Sequence, residues 1–173
     1  MPDAAPLPGE LAGLDVVAYM REALVEAEAA GRAGEVPIGA VLVVDGVIVS
    51  RGRARHRATR SQLMHAEMQA LLQGGDPLWE RHDDAVLVTT VEPCPMCLGA
   101  TVMADVPHVV FALPDTVAGS QRLVDTIPYI RRHIRTYHGG ILEVEAAALF
   151  EHFDPATLVY MRTAVSGGSG TQS

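Results

Sequence analysis

Two cysteines, a histidine and a glutamate lie at spacings that suit metal chemistry. Cys94 and Cys97 belong to the run Pro-Cys-Pro-Met-Cys, which begins at Pro93. A His-Ala-Glu triplet, His65 to Glu67, lies upstream, and 25 residues separate Glu67 from Pro93. The chain has 2 cysteines in all. A network of structural disulfides is therefore excluded, and a redox site or a metal site remains.

The order of these residues favours a catalytic metal site. Cys94 and Cys97 are three residues apart at a predicted helix start, so both sulfur atoms face one side of that helix. Free N–H groups at the same helix end favour thiolates. His65 is predicted to open a second helix, and two helices lying side by side on a sheet would bring these ends together. H-x-E followed by P-C-x-x-C is the pattern of zinc deaminases. Three protein ligands leave a fourth tetrahedral position for water, which indicates one catalytic Zn²⁺ per subunit.

Glu67 is the predicted proton carrier of such a site. It would take a proton from water and deliver protons to a ring nitrogen and to the departing amino group, so that ammonia leaves and a carbonyl remains. A structural zinc with a fourth ligand at His82 or His108 is the alternative, and it leaves Glu67 without a purpose. The other histidines show no ligand spacing and are predicted to lie on the surface: His56, His133, His138 and His152.

Helices and strands alternate along the predicted secondary structure. Apolar periodicity predicts a helix over 14–30, and the Asp45-Gly46 pair predicts a β-hairpin between strands 36–44 and 47–49. The other predicted elements are helix 65–73, strand 85–91, helix 94–103, strand 109–112, strand 131–137, helix 143–153 and a closing helix 155–165. This order predicts a layered α/β domain with a mixed sheet.

Length and composition predict one domain with two tails. The 173 residues, 49% of them hydrophobic, suffice for a single core over residues 14–165. The tail 1–13 and the Gly/Ser-rich tail 166–173 are predicted to be flexible. We expect a cytoplasmic protein without a membrane span, because no apolar stretch approaches 20 residues and the N-terminus lacks the features of a secretion signal.

The distribution of charge leaves two interpretations open. The net charge of −8 argues against general adhesion to nucleic acids or anionic membranes. All 13 basic residues are arginines, and eight of them lie in the runs 51–60 and 131–135. The run 51–60 is either a solvated loop or a surface that binds phosphate or an RNA backbone at the mouth of the pocket.

The chain resembles the cytidine deaminase superfamily, in the branch of tRNA adenosine, guanine and fungal cytosine deaminases, over about residues 14 to 153. The resemblance rests on Val36-Pro37-Ile38-Gly39-Ala40, His65-Ala66-Glu67, the run Val91 to Ala100, Gly140-Ile141-Leu142, the run Ala146 to Phe150, and Phe153. It implies a three-layer αβα fold with a central five-stranded mixed sheet, and usually a homodimer or larger oligomer, of which we expect the homodimer.

Two stretches depart from the pattern of these relatives. Gly52-Arg53-Ala54 falls where they carry Gly-x-Asn, whose asparagine hydrogen-bonds the base, so the amide is missing at Ala54. Gln62-Leu63-Met64 replaces their Asp-Pro-Thr. Either Arg53 or Arg55 supplies the lost hydrogen bond, or the ligand differs. The candidate substrate-binding residues are Ile38, Arg53, Ala54 and Ala66.

The leading prediction is a zinc-dependent hydrolytic deaminase of a free nucleobase, nucleoside or related amino-heterocycle. Editing of adenosine in a tRNA anticodon loop is the alternative, which the arginine run 51–60 supports and Ala54 weakens. A non-catalytic zinc-stabilised binding module is an alternative of another class, and Glu67 argues against it.

Overall fold

The computed structural model describes residues 9–163 and places helices on both faces of a central β-sheet. The strands are β1 (Gly39–Val44), β2 (Val47–Arg53), β3 (Ala85–Val91), β4 (His108–Leu113) and β5 (Thr136–His138). The helices are α1 (Val16–Arg32), α2 (His56–Thr59), α3 (Ala66–Leu72), α4 (Gly75–Arg81), α5 (Pro95–Met103), α6 (Gln121–Thr126), α7 (Pro128–His133), α8 (Glu143–Phe153) and α9 (Pro155–Thr163). Within this part of the chain, no helix is both long and apolar enough to cross a bilayer.

The sheet is mixed and has the strand order β2-β1-β3-β4-β5. β1 pairs antiparallel with β2 and with β3, whereas β3, β4 and β5 run parallel. Parallel neighbours require crossover helices, and α5 supplies the crossover between β3 and β4. The predicted three-layer α/β architecture with a five-stranded mixed sheet is confirmed.

The hairpin between β1 and β2 turns at the Asp-Gly pair. Asp45 and Gly46 have φ angles of 53° and 74°, the two positive values that a type I′ turn requires. The predicted turn is therefore confirmed, and β2 continues beyond the predicted end at residue 49 to Arg53. This extension brings the chain alongside α3.

The two faces of β1 belong to different layers. Val41 and Val43 are buried in one apolar cluster with residues of α1 and α8 such as Met20 and Phe150. The alternate residues Ala40 and Leu42 face the opposite way and pack in a second cluster that includes residues of α3. All six residues of β1 are buried, as expected for a strand covered by helices on both sides.

Two sequence predictions need correction. The strand predicted over 131–137 is wrong, because Pro128 starts helix α7, which continues to His133 and leaves only the short β5. Proline is favoured in the first helical turn, where its missing N–H costs nothing. The predicted N-terminal tail begins to fold before residue 14, since Leu11 is 1% exposed within the core. Residues 1–8 and 164–173 lie outside the described residues, as does the predicted Gly/Ser tail.

A buried carboxylate fixes the short helix α2. Glu35 is 6% exposed and accepts hydrogen bonds from the backbone N–H groups of Arg57 (3.0 Å) and Ala58 (2.7 Å). Burial raises the pKa of Glu35, but these two hydrogen bonds and the nearby charges of His56 and Arg57 outweigh it, so the pKa is lowered on balance. The first turn of α2 is thus capped from a distant part of the chain.

Gly52 allows α3 to lie directly against β2. A Cβ atom at this position would overlap the carbonyl oxygen of Ala66 and lie 2.7 Å from the backbone nitrogen of Ala70. Both atoms belong to the α3 backbone and have little freedom to move. The side chain of Ser50 adds a hydrogen bond of 2.5 Å to the carbonyl oxygen of Ala70.

We expect Gly52→Ala to destabilise the protein by about 1 to 3 kcal/mol, because α3 has to shift away from the sheet. Urea unfolding followed by circular dichroism measures the effect. Gly99→Ala is the matched control: no atom lies within 4 Å of a Cβ there, and alanine in a helix interior gains about 0.5 to 1 kcal/mol over glycine. Equal stability of Gly52→Ala and wild type would contradict the close approach.

The stability that Glu35 contributes should depend on pH. A carboxyl whose pKa is lowered by folding stabilises the protein fully above its unfolded pKa, near the ordinary value of 4.5, and this contribution is lost as the pH falls through the folded value. Glu35→Gln should therefore lower the free energy of unfolding at pH 7 and reduce its fall between neutral and acid pH. Denaturation measured across this range, with exposed Glu151→Gln as control, tests both effects.

Candidate active site

Three metal-binding side chains meet at the N-terminal ends of α3 and α5. His65 and Cys94 are the N-cap residues of these helices, and Cys97 lies in the first turn of α5. The Nδ1 atom of His65 is 3.7 Å from the Sγ atom of Cys94 and 3.5 Å from that of Cys97. The ligand atoms of the three residues all lie within 4.8 Å of one another. The predicted convergence of two helix ends is therefore confirmed.

Local sequence explains why α5 begins where it does. β3 ends at Val91, and Pro95 occupies the first position of α5 with Cys94 in extended conformation before it. The N-terminus of a helix carries unpaired N–H groups and a partial positive charge, which stabilise negative charge on nearby sulfur atoms. The helix end thus favours the thiolate form that binds metals.

The two thiols titrate differently because they share a proton. A hydrogen bond from Cys97 lowers the pKa of Cys94 to about 4, with further help from His65, although burial opposes the shift. The same bond and burial raise the pKa of Cys97. The hydrogen bond with Cys94 also raises the pKa of His65. These groups are electrostatically coupled, as expected for residues that converge on one ion.

Glu67 lies beside these donors and is buried. Its side chain is 3% exposed, its Oε2 atom is 3.5 Å from the Sγ atom of Cys97, and its Oε1 atom accepts a hydrogen bond of 3.3 Å from Thr89. Burial raises the pKa of Glu67 above its ordinary value. The Thr89 hydroxyl, on β3, fixes the orientation of the carboxylate.

The donor set suits zinc. Two sulfur atoms and one imidazole nitrogen are ligands that zinc prefers, and a three-residue set leaves a fourth tetrahedral position free. Within residues 9–163, this group contains His65, Cys94 and Cys97 and no fourth residue. His108, one alternative fourth ligand, lies at the start of β4 and forms a hydrogen bond of 3.0 Å with Thr136 at the start of β5. The geometry therefore favours an open metal site over a closed structural one.

Three of the four candidate substrate-binding residues are apolar and lie close to the sheet. Ala66 belongs to the cluster on the α3 side, and Ile38 packs against the clusters on both sides. Ala66 separates His65 from Glu67 and is fully buried, and Ala54 is 1% exposed. The N–H of Ala54 donates to the carbonyl oxygen of Ile38 at 3.0 Å, which joins the start of β1 to the end of β2.

Arg53, the fourth candidate, points the other way. Its guanidinium lies 3.6 Å from the carboxylate of Glu26 on α1, and α1 covers the face of the sheet opposite to α3. Along β2 the side chains alternate, so Gly52 faces α3 whereas Arg53 faces α1. The structure does not bring Arg53 to the three metal-binding side chains.

Glu92 is a site residue that sequence reasoning missed. Its carboxylate, 7% exposed, accepts hydrogen bonds from the N–H groups of Asp115 (3.1 Å) and Gln121 (2.9 Å) and from the hydroxyl of Tyr137 (3.3 Å). Burial and this carboxylate raise the pKa of Tyr137. Glu92 thus joins the segment that leads to Cys94 to the loop after β4 and to β5. An acidic residue directly after a strand predicted to be buried was the available signal.

His56 is the second residue that was missed. It is half-buried, not on the open surface as predicted, and its ring centroid lies 4.8 Å from that of His65 at an angle of 82°. Burial and the charge of His65 lower the pKa of His56. Sequence spacing gave no indication of this contact, because it depends on how the segments before α2 and α3 pair.

Comparison with known proteins connects this geometry to an activity. Residues 15–113 match the family described as the cytidine and deoxycytidylate deaminase zinc-binding region. The tRNA-specific adenosine deaminase of Bacillus subtilis (strain 168) is 39% identical over 139 residues, which cover 78% of this chain and 86% of the relative.

Two solved structures share the fold. One comes from a study of A-to-I editing by tRNA:A34 deaminases at the wobble position of transfer RNA; it is 34% identical, has a TM-score of 0.69, and the match covers 76% of this chain and 98% of that one. The other is a guanine deaminase from Bacillus subtilis, 29% identical with a TM-score of 0.53 over 64% of this chain and 75% of that one.

The match to the family covers more than half of the chain, and its zinc-binding region includes the three converging side chains. The chain is thus a hydrolytic deaminase with zinc as its cofactor. It belongs to the cytidine and deoxycytidylate deaminase family.

Proposed function

We propose that this deaminase acts on tRNA and converts an adenosine of an anticodon loop to inosine. The observation that carries the proposal is the 39% identity to the tRNA-specific adenosine deaminase of Bacillus subtilis over most of both chains. A relative from Streptococcus pyogenes serotype M1 with the same name is 35% identical over 142 residues. This substrate, the alternative on sequence grounds, now replaces a free base or nucleoside as the leading interpretation.

His65, Cys94 and Cys97 are proposed to hold the zinc. When bound, zinc supplies Lewis acidity that activates a water molecule for attack on the carbon bearing the amino group. Glu67 accepts one proton from the attacking water and delivers it to the ring nitrogen. It then takes the remaining proton from the new hydroxyl group and delivers it to the amino group. The bond from carbon to the amino nitrogen breaks, ammonia leaves, and the carbon keeps its new oxygen as a carbonyl.

Thr89 and the buried surroundings keep Glu67 in place for this role. The hydrogen bond from Thr89 holds one carboxylate oxygen, while the other faces the Cys97 side of the site. A carboxylate fixed within hydrogen-bond reach of the reacting atoms can serve both as base and as acid. Ile38, Ala54 and Ala66 are proposed to form apolar walls beside it.

A free purine base is the second candidate substrate. The likeness to a guanine deaminase favours it. We further propose that the protein works in the cytoplasm as a homodimer, which is supported by an exposed apolar surface on α3, α4 and α5. Leu72, Trp79 and Met103 of this surface are 75%, 86% and 73% exposed. Sedimentation equilibrium measures the assembly directly.

Ammonia release tests the substrate and the role of Glu67 together. We expect wild type to release ammonia from an anticodon stem-loop containing the target adenosine, and not from adenosine, guanine or cytosine. Glu67→Ala should keep its zinc but lose activity by about 10³-fold or more, because the proton carrier is gone. Cys97→Ala should lose both zinc and activity, and the exposed Glu151→Ala should change neither.

Release from guanine alone would replace the RNA substrate by a free base. An active Glu67→Ala protein would contradict the proton-transfer role. Zinc content, measured on each variant by atomic emission, separates loss of the metal from loss of chemistry.

The structure divides the arginine run 51–60 into engaged and free members. Arg51 pairs with Glu22 at 2.9 Å, Arg53 pairs with Glu26 at 3.6 Å, and Arg57 donates a hydrogen bond to the carbonyl oxygen of Gly34. Among the described residues, neither Arg55 nor Arg60 has an ion-pair partner, and both are exposed on either side of α2. We propose that these two contact the RNA backbone.

Replacing both free arginines should weaken RNA binding. The Arg55→Ala/Arg60→Ala variant is expected to raise KM for the stem-loop about tenfold, with kcat little changed. The slope of log KM against log salt concentration should fall by about one for each arginine, because each loses one phosphate contact. Arg51→Ala is the matched control, since that side chain is paired with Glu22. Steady-state kinetics at several salt concentrations check this. If KM and its salt dependence are unchanged in the double variant, Arg55 and Arg60 belong to a solvated loop and do not contact the RNA.

A further inference from the structure

His56 occupies a defined place at the zinc site. The N–H of Arg55 donates to the carbonyl oxygen of Met64 at 3.0 Å, so the segments that lead into α2 and α3 run side by side. Each segment continues with a histidine, and the rings of His56 and His65 meet almost at right angles at 4.8 Å.

The backbone around His56 is held firmly. Glu35 binds the N–H groups of the next two residues, the hydroxyl of Thr59 donates to the carbonyl oxygen of Arg55 at 2.6 Å, and the N–H of Ser61 donates to the carbonyl oxygen of His56 at 3.1 Å. Such a backbone presents its side chain in a fixed direction. A side chain that is fixed before a ligand arrives loses little entropy on binding.

The ring nitrogens of His56 are free within the described part of the chain. No hydrogen bond from residues 9–163 occupies either nitrogen, although the ring is half-buried. An imidazole offers hydrogen-bond donor and acceptor groups at its two nitrogens, and an amide offers both kinds of group as well. A half-buried imidazole that is held in place beside a catalytic site, with neither nitrogen bonded to residues 9–163, is suited to bind a ligand.

The residue two positions earlier offers no such group. Ala54 is 1% exposed and contributes only a methyl group where the relatives that this chain resembles carry a base-reading asparagine. Arg53, one candidate to replace that amide, is directed to Glu26 on the other face. His56 is the polar side chain that the structure places beside His65 instead.

We propose that His56 is a specificity-determining residue, whose imidazole hydrogen-bonds the substrate beside the zinc site and takes over the polar recognition absent at Ala54. This inference rests on the proposed deaminase function, and the RNA proposed there as substrate is one of the two probes used below. The hydrogen bond is to the edge of the base that undergoes deamination.

His56→Phe is the decisive variant because it keeps a ring against His65 but removes both nitrogens. Binding is measured in zinc-loaded protein carrying Glu67→Ala, so that no ligand is turned over. The probes are a fluorescent anticodon stem-loop with the target adenosine, followed by anisotropy, and guanine, followed by calorimetry. His56→Gln tests rescue by an amide, and His152→Phe is the control on an exposed histidine of α8.

We expect His56→Phe to raise the Kd of at least one probe about tenfold, because one hydrogen bond to the ligand is lost. His56→Gln should recover most of this loss, and His152→Phe should bind like its parent. Zinc content and melting temperature should be equal in all variants.

Two outcomes would overturn the inference. If His56→Phe binds both probes as tightly as its parent, the imidazole does not contact the substrate. If His56→Phe loses zinc, the ring nitrogens serve the metal site instead. Neither outcome bears on the choice between RNA and a free base as substrate, because the ammonia assay on wild type decides that separately. Activity on guanine alone would reject the tRNA proposal, and the binding test of His56 would still be valid.

Discussion

Three metal-binding atoms carried by two helices have to lie within 4.8 Å of one another, and this requirement governs the surrounding structure. α5 starts at the right place because β3 ends shortly before a proline that begins the helix. α3 reaches the same point because it lies directly on β2, where Gly52 leaves room for its backbone. A displacement of either helix by one or two ångströms would separate His65 from the two sulfur atoms.

Two buried carboxylates stabilise the irregular segments around the helix ends. Loops near a buried site carry backbone N–H groups without partners in a helix or sheet, and each unsatisfied group costs free energy. Glu35 accepts two such groups at the start of α2, and Glu92 accepts two more from the loop after β4. The site is thus framed by charge-assisted hydrogen bonds in addition to apolar contacts.

The parts of the structure that sequence predicts best are those with local causes. The Asp45-Gly46 turn, the apolar strands and the two helix starts at His65 and Cys94 all follow from short-range rules, and the structure has them. The strand predicted over 131–137 was wrong because the prediction did not take account of Pro128, which starts a helix. Glu35, Glu92 and His56 went unnoticed for a different reason. The hydrogen-bond partners of Glu35 and Glu92 are 22 or more residues away, and the contact of His56 depends on a pairing of loops. No periodicity of the sequence records such contacts.

Glu92 contacts the neighbouring loop mainly through main-chain N–H groups, which every residue except proline possesses. The side chains of that loop can consequently be exchanged during evolution without releasing it from the carboxylate, while Gly119, whose absent Cβ makes room for Glu92, has to stay small. In such a fold the metal-binding residues stay constant, while the side chains of the surrounding loops can change. Enzymes named for adenosine in tRNA and for guanine can then diverge from one scaffold by changing the residues at its rim.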